Sequence, residues 1–180
     1  MRIIAGQWRG RVLVAPKGDA TRPTADRTRE ALFSMLTSRL GSFEGLQVAD
    51  LFAGSGALGL EALSRGAASC TFVEQDRAAL DALRANVAAL KANADIRAQS
   101  VMALATTREP FDLILMDPPY GTGAGQVALD RCRRLGWVAD SAIVSIETAQ
   151  DEKVDVTGFT VDAQRIHGKA KVTFLRPVIQ

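Results

Sequence analysis

The chain has 180 residues, 47% of them hydrophobic and 23% charged, enough for one buried core, too few for two comfortable ones, and too apolar for wholesale disorder. Its net charge of +2 is unevenly spread: residues 1–30 carry seven basic and three acidic side chains, residues 163–180 carry four basic and no acidic ones, and the stretch between is net acidic. Two basic ends on an acidic body form one cationic patch if they meet in space, the electrostatic footprint of a nucleic-acid binder. No apolar run approaches the ~20 residues of a membrane helix, and the start lacks the long apolar stretch of a secretory signal. Cys70 and Cys132 stand far apart without metal-ligand spacing, so no disulfide framework or metal site is expected, and a reducing cytoplasm fits. The single histidine, His167, leaves little material for a Ser-His-Asp mechanism and reads as a surface or hairpin residue.

In chain order, residues 1–14 read as two short strands around Gly6 and Gly10, a hairpin arm carrying Trp8 and Arg9. Residues 15–25, with Pro16, Gly18 and Pro23, read as a loop. A helix is expected after Thr24 and on to Leu40, because Leu32, Leu36 and Leu40 recur every fourth residue and Gly41 stops it. Strands are then expected at 47–51, 69–73, 96–99, 111–116 and 142–146, interleaved with helices at 57–65, 77–90 and 126–135. In the second of these helices Leu80, Leu83, Val87 and Leu90 mark the buried face. Two extended runs, 159–166 and 171–177, are split by Gly168 and read as an antiparallel hairpin. The alternation predicts an α/β fold, a mostly parallel sheet with helices on both faces and ligands at the carboxyl ends of its strands. A single domain over 1–180 is expected, with 1–23 as a basic arm and loop and 24–180 as the core.

The segment Asp50-Leu51-Phe52-Ala53-Gly54-Ser55-Gly56-Ala57-Leu58-Gly59 follows the first parallel strand and opens a helix. Its G-x-G-x-x-G lets the backbone turn sharply and approach a ligand closely, with free N–H groups at the helix start. Glu74 closes the next strand, 20 residues after Gly54, where an acid can accept both hydroxyls of a ribose. The pair suits NAD-type dinucleotides and also S-adenosylmethionine. Asp50, an acid placed to face a sulfonium and an amino group, leans toward the latter.

The most specific signal is Asp117-Pro118-Pro119-Tyr120 after an apolar strand. Each proline fixes φ and restricts the residue before it, so the turn is stiff. It holds the Asp117 carboxylate and the Pro118 carbonyl side by side as acceptors, with the flat Tyr120 ring beside them. That set suits an exocyclic amino group on a planar base. Two acceptors gripping its hydrogens free the nitrogen lone pair for attack on a methyl, while Tyr120 stacks on an unstacked base. No covalent protein nucleophile is needed; positioning and electrostatics carry the rate.

The tetrapeptide resembles the [DNS]-P-P-[YFW] motif of amino-group methyltransferases. Together with Arg2-Ile3-Ile4-Ala5-Gly6, Arg9-Gly10-Arg11, Arg22-Pro23-Thr24, Asp26-Arg27, Arg29-Glu30-Ala31-Leu32-Phe33 and the 51–62 glycine segment, it makes the chain resemble the RsmD family over nearly its whole length. The resemblance implies a Rossmann-like class I S-adenosylmethionine-dependent methyltransferase with a seven-stranded sheet and a short N-terminal β-hairpin arm. It implies methylation of N2 of guanine 966 in 16S rRNA, within the small ribosomal subunit or its assembly intermediate, by a cytoplasmic monomer with no metal and no membrane association. Asp117, Pro118, Pro119 and Tyr120 would hold the guanine. Asp50, Phe52, Gly54, Gly56, Glu74, Gln75 and Asp117 would line the cofactor. Of Thr24, Arg27 and Arg29, one would meet the methionine carboxylate, with a surface role for Arg29 as the alternative. Arg2, Arg9, Arg11, Arg22, Lys169 and Lys171 would contact RNA. Where such enzymes show an Asp or Asn before Ala-Leu, this chain has Ser100-Val101-Met102-Ala103-Leu104, so Met102 is expected to pack on the adenine ring. The competing readings are a DNA adenine-N6 methyltransferase, for which 180 residues leave no recognition domain, an NAD-linked oxidoreductase, which leaves the tetrapeptide unexplained, and a noncatalytic RNA-binding module.

Overall fold

Strand β1 (Gln47–Leu51) buries four of its five residues, the pattern of a strand covered on both faces. Val48 joins one core, while Ala49 and Leu51 join the other. The same alternation runs through β4 (Phe111–Met116), where Leu113 and Leu115 face one core and Ile114 and Met116 the opposite one. A computed structural model describes residues 1–17 and 23–179, with Pro23 and Thr24 described by backbone alone.

Helices α1 (Pro23–Leu40), α2 (Ala57–Ser64) and α3 (Arg77–Leu90) bury Leu36, Leu60 and Leu83 in the first core. Helix α4 (Ala124–Arg134) and a 3-10 turn (Val101–Ala103) bury Leu129 and Val101 in the second. Strands β2 (Ser69–Glu74), β3 (Ala94–Ala98), β5 (Val138–Ala149), β6 (Phe159–His167) and β7 (Ala170–Pro177) complete a seven-stranded sheet of order β3-β2-β1-β4-β5-β7-β6. β7 alone runs against its neighbours, antiparallel to both β5 and β6. The expected mostly parallel sheet with a C-terminal antiparallel hairpin is therefore present.

Register decides where the strands end. Leu51 of β1 pairs with Val73 of β2 and with Met116 of β4, and Met116 pairs with Ile146 of β5. The residues that follow, Phe52, Glu74, Asp117 and Glu147, thus stand in one row at the carboxyl edge of the sheet. The order reverses between β1 and β4, the switch point where α/β sheets open a crevice.

Several boundaries move. The strand expected at 96–99 is Ala94–Ala98, the one expected at 142–146 extends to Val138–Ala149, and the helix expected at 126–135 starts at Ala124. The larger correction is the N-terminal arm. Instead of two strands it holds one isolated antiparallel bridge, Arg2 to Val12, closing a segment that turns at Gly6 and Gly10 with φ of 90° and 84°. Its backbone donors are divided: Ile3 N, Gly10 N and Leu13 N bond across the segment and Arg9 N and Arg11 N within its turns, while five others reach the body of the protein. Ile4 N and Ala5 N donate to the Glu61 carboxylate, Trp8 N to Ser64 Oγ, and Val14 N to Asn86 Oδ1. Backbone groups satisfied by the core have no need of a cross-strand ladder. Ile3 and Leu13 are buried, so the segment is docked rather than projecting.

Candidate active site

The glycine loop leaves β1 through an unusual conformation. Phe52 has φ of 60°, rare for a residue with a side chain, and Gly54 and Gly56 follow at 59° and 85°. These left-handed steps turn the chain back over the end of β1. The third glycine works differently: a Cβ on Gly59 would lie 2.4 Å from the Phe72 ring and 2.7 Å from Cys70 Sγ. Gly59 therefore lets α2 pack directly on β2, and this fixes the direction of the helix start. Glu74 ties the loop to β2, accepting from Gly54 N at 2.8 Å while its other oxygen accepts from Gln75 N and Asp76 N.

Asp50 is not where the sequence pattern put it. It is 1% exposed and lies beneath the loop, its Oδ2 accepting from Gly59 N at 2.9 Å. Its Oδ1 is buried without a partner among the described residues. Burial pushes this carboxyl up to about 8, against the lowering effect of the Gly59 bond, and the charge of Glu74 adds to the rise. The residue thus shapes the loop from below.

Two clefts open above this row. The larger, of about 1090 Å³, runs between the glycine loop, α1 and the β6–β7 turn; the smaller, of about 430 Å³, lies over Glu74. Phe52, Gly54 and Asp117 line both, so the two are continuous at the 117–120 turn. In that turn Pro118 is buried, whereas Asp117, Pro119 and Tyr120 are exposed to the cleft side. Gly125 of α4 seats the Pro118 ring, since a Cβ there would come within 3.0 Å of it. Asp117 opens onto the cleft but is enclosed on its other sides. Burial raises its carboxyl to about 8, helped by a hydrogen bond with Glu147 and by the charges of Glu147 and Asp50. The Tyr120 hydroxyl donates to Glu147 Oε2 at 2.9 Å, and burial with that neighbouring charge raises its pKa.

Gln75 lines the smaller cleft with Glu74. Met102 does not line either cleft. Ser100 Oγ caps the 3-10 turn by accepting from Met102 N, which turns Val101 inward and leaves Met102 39% exposed. Val101 and Gln99 line the smaller cleft instead. Arg29 is no surface residue: at 4% exposure it is held by Glu61 and Asp26 and donates to the Arg2 carbonyl. It lines the larger cleft together with Arg27 and Thr28. The side chain of Thr24 and all of Arg22 lie outside the described residues. His167 ends β6 at the hairpin, as expected; it is half-buried, lines the larger cleft, and its Nε2 is buried without a partner among the described residues.

Among the residues expected to meet RNA, Arg2, Arg9, Arg11 and Lys169 are exposed, and Lys169 lines the larger cleft from the β6–β7 turn. Arg2 donates to Gly10 O and Arg11 to Ala89 O, bonds that steady both side chains at the surface. Lys171 is half-buried, with its ammonium on the Glu152 carbonyl. Met1, Ala15 and Pro16 line the larger cleft opposite His167 and Lys169 in sequence, so both chain ends contribute to one opening. Glu147 is the site residue that the motifs did not flag. The available signal was an acid ending the apolar run 142–146, the position equivalent to Asp117 on the neighbouring strand.

The donor set fits S-adenosylmethionine. A carboxylate over the smaller cleft beside the apolar Val73, Val101 and Pro119 suits a ribose and a flat base. Glu74, Asp117 and Glu147 line the clefts with carboxyl oxygens, an acceptor-rich wall that suits the amino group and sulfonium of such a ligand.

Similarity to known proteins agrees. The family model described as Conserved hypothetical protein 95 matches residues 1–176. Ribosomal RNA small subunit methyltransferase D of Escherichia coli is 44% identical over 150 residues, covering 82% of this chain and 74% of the relative. Its counterpart of the same name in Haemophilus influenzae is 37% identical over 160 residues, covering 84% of this chain and 80% of the relative. The solved structure of Escherichia coli yhhF superposes with a TM-score of 0.86 at 37% identity, covering 100% of this chain and 99% of that one. A docked basic N-terminus, a glycine loop over a buried acid and a proline-stiffened turn at the switch point thus accompany sequence identity across the fold, and the chain belongs to the RsmD family.

Proposed function

We propose that this protein methylates the exocyclic N2 of guanine 966 in 16S rRNA, using S-adenosylmethionine. The observation that carries the reading is the 117–120 turn at the junction of the two clefts, the one place open to both a nucleoside over Glu74 and a base entering from the basic side. The names borne by the relatives support ribosomal RNA of the small subunit as the substrate class.

Glu74 would hold the ribose and Gly54 would present backbone close to the donor. When bound, S-adenosylmethionine supplies an electrophilic methyl. Asp117 and the Pro118 carbonyl accept the two hydrogens of the guanine amino group and hold its nitrogen lone pair out of conjugation with the ring. As the new N–C bond forms at the expense of the donor's sulfur–methyl bond, whose electrons stay on sulfur as a neutral thioether, N2 would give one proton to the Asp117 carboxylate. A carboxylate raised toward neutral pH is a better acceptor than an ordinary one, which matches that duty. Exposed Tyr120 offers its face to the unstacked base, and its hydroxyl bond to Glu147 fixes the ring's direction. Arg2, Arg9, Arg11 and Lys169 would meet the phosphates around the target.

The test is methyl transfer from labelled S-adenosylmethionine to undermodified small subunits, followed by mass mapping. A single modified guanine at N2 is expected. Asp117→Ala should lower transfer by about a thousandfold while calorimetric cofactor binding stays within about tenfold, since this carboxylate acts on the amino group. Transfer to duplex DNA adenine instead of rRNA would overturn the reading.

A further inference from the structure

Glu147 follows Ile146 at the end of β5, as Asp117 follows Met116 at the end of β4, and Ile146 and Met116 are paired in register. The two acids thus come side by side from neighbouring strands and line the same large cleft. Tyr120 fixes the orientation of the second acid by donating to its Oε2 at 2.9 Å. Guanine presents, on neighbouring atoms of one edge, an N1–H donor and an N2 amino donor. Adenine carries a lone pair at N1 and would set it against a carboxylate. Two adjacent acids therefore match the edge of one purine and repel that of the other.

We propose that Glu147 reads the identity of the target base, its carboxylate accepting the guanine N1–H while Asp117 accepts an N2–H. This rests on the guanine-N2 function proposed above and adds what the Asp-Pro-Pro-Tyr turn lacks, since that turn grips any amino group. The charged and titratable groups around the pair are Asp50 from β1, Tyr120 and Glu152 on either side of the turn, Lys171 of β7 through its bond to the Glu152 carbonyl, and Arg27, Arg29, His167 and Lys169 along the cleft wall.

The test uses small subunits reconstituted with guanine or with 2-aminopurine at the target position. 2-Aminopurine keeps the amino group and lacks N1–H. Wild type should prefer guanine in kcat/KM by about a hundredfold or more, as expected of a site built to bond a substrate N–H. Glu147→Ala should reduce that preference to below about tenfold. Glu147→Gln keeps the volume and one acceptor oxygen, so it should retain most of the preference. By removing a neighbouring charge it should also move the rising limb of the pH–rate profile to lower pH, because Asp117 then gives up its proton more easily. Thermal unfolding checks that both variants are folded. An unchanged preference in Glu147→Ala, a wild type indifferent to N1–H, or an unshifted profile in Glu147→Gln would overturn the assignment. Absence of transfer to guanine by wild type would instead overturn the function on which it rests.

Discussion

Asp50 and Asp117 lie at the ends of adjacent strands, and in both the fold opposes the negative charge. They differ in what faces them. Asp117 meets the cleft, where a ligand can use its raised basicity. Asp50 meets the underside of the glycine loop, where only one of its oxygens finds a donor among the described residues. The stability consequence has a definite sign. With a folded value of about 8 against an ordinary 3.8, Asp50 keeps its proton in the folded protein while the unfolded chain loses it. Its contribution is fully present below about pH 4 and is lost as pH rises toward about 8, by up to about 1.4 kcal/mol per pH unit. Asn mimics the protonated acid and keeps an acceptor for Gly59 N. Asp50→Asn should therefore flatten the fall in stability between pH 5 and pH 8, measured by urea unfolding without cofactor. An unchanged slope would remove Asp50 as its source.

At the scale of elements, α2 is the part to which the others are fastened. Its Glu61, wholly buried, accepts from Ile4 N and Ala5 N and pairs with Arg29 of α1 and with Arg65, the residue that caps α2. Breaking a buried network from one side leaves charges uncompensated. Glu61→Gln should cost about 3 kcal/mol, read as a lower urea midpoint, and should increase amide exchange within residues 1–14 first. A second contact fastens α2 to the sheet. Gly59→Ala drives a methyl into Phe72 and Cys70 and should cost about 1–3 kcal/mol, with a parallel loss of cofactor affinity in calorimetry because the loop begins on that helix. These contacts explain why the sequence pattern for the first 14 residues misled. Gly6 and Gly10 mark turns correctly, yet the partners of Ile4 N, Trp8 N and Val14 N are 56–72 residues away in α2 and α3, where no hairpin rule looks.

Across the whole molecule, both chain ends reach one opening, to which Arg27 and Lys169 bring exposed basic side chains. The N-terminal segment lines it through Met1, Ala15 and Pro16, and the C-terminal hairpin through His167 and Lys169. A surface of this kind binds polyanions by releasing counterions, so RNA affinity should fall steeply with salt. Replacing Arg9 and Arg11 together with Ala should lower the slope of log affinity against log salt by about 2, in filter binding across a salt series. A flat response would take the N-terminal segment out of the RNA interface. Among the described residues no helix is long and apolar enough to cross a membrane.

The features legible in the sequence are those set by neighbours along the chain. Apolar alternation within 47–51 and 111–116, fourfold spacing in α1 and α3, glycines that permit left-handed backbone, and consecutive prolines that stiffen a turn all act over a few residues. They place the strands, the loop and Asp117 without further help. What required the tertiary structure is every relation across the sheet. Register alone brings Glu147 beside Asp117. Packing alone turns Asp50 under its loop, turns Met102 out and Val101 in, and buries Arg29 among acids from α1 and α2. The physical reason is the same in each case. A local pattern restricts backbone angles, whereas the charge state and partners of a buried polar group are decided by whichever distant segment removes the water from around it.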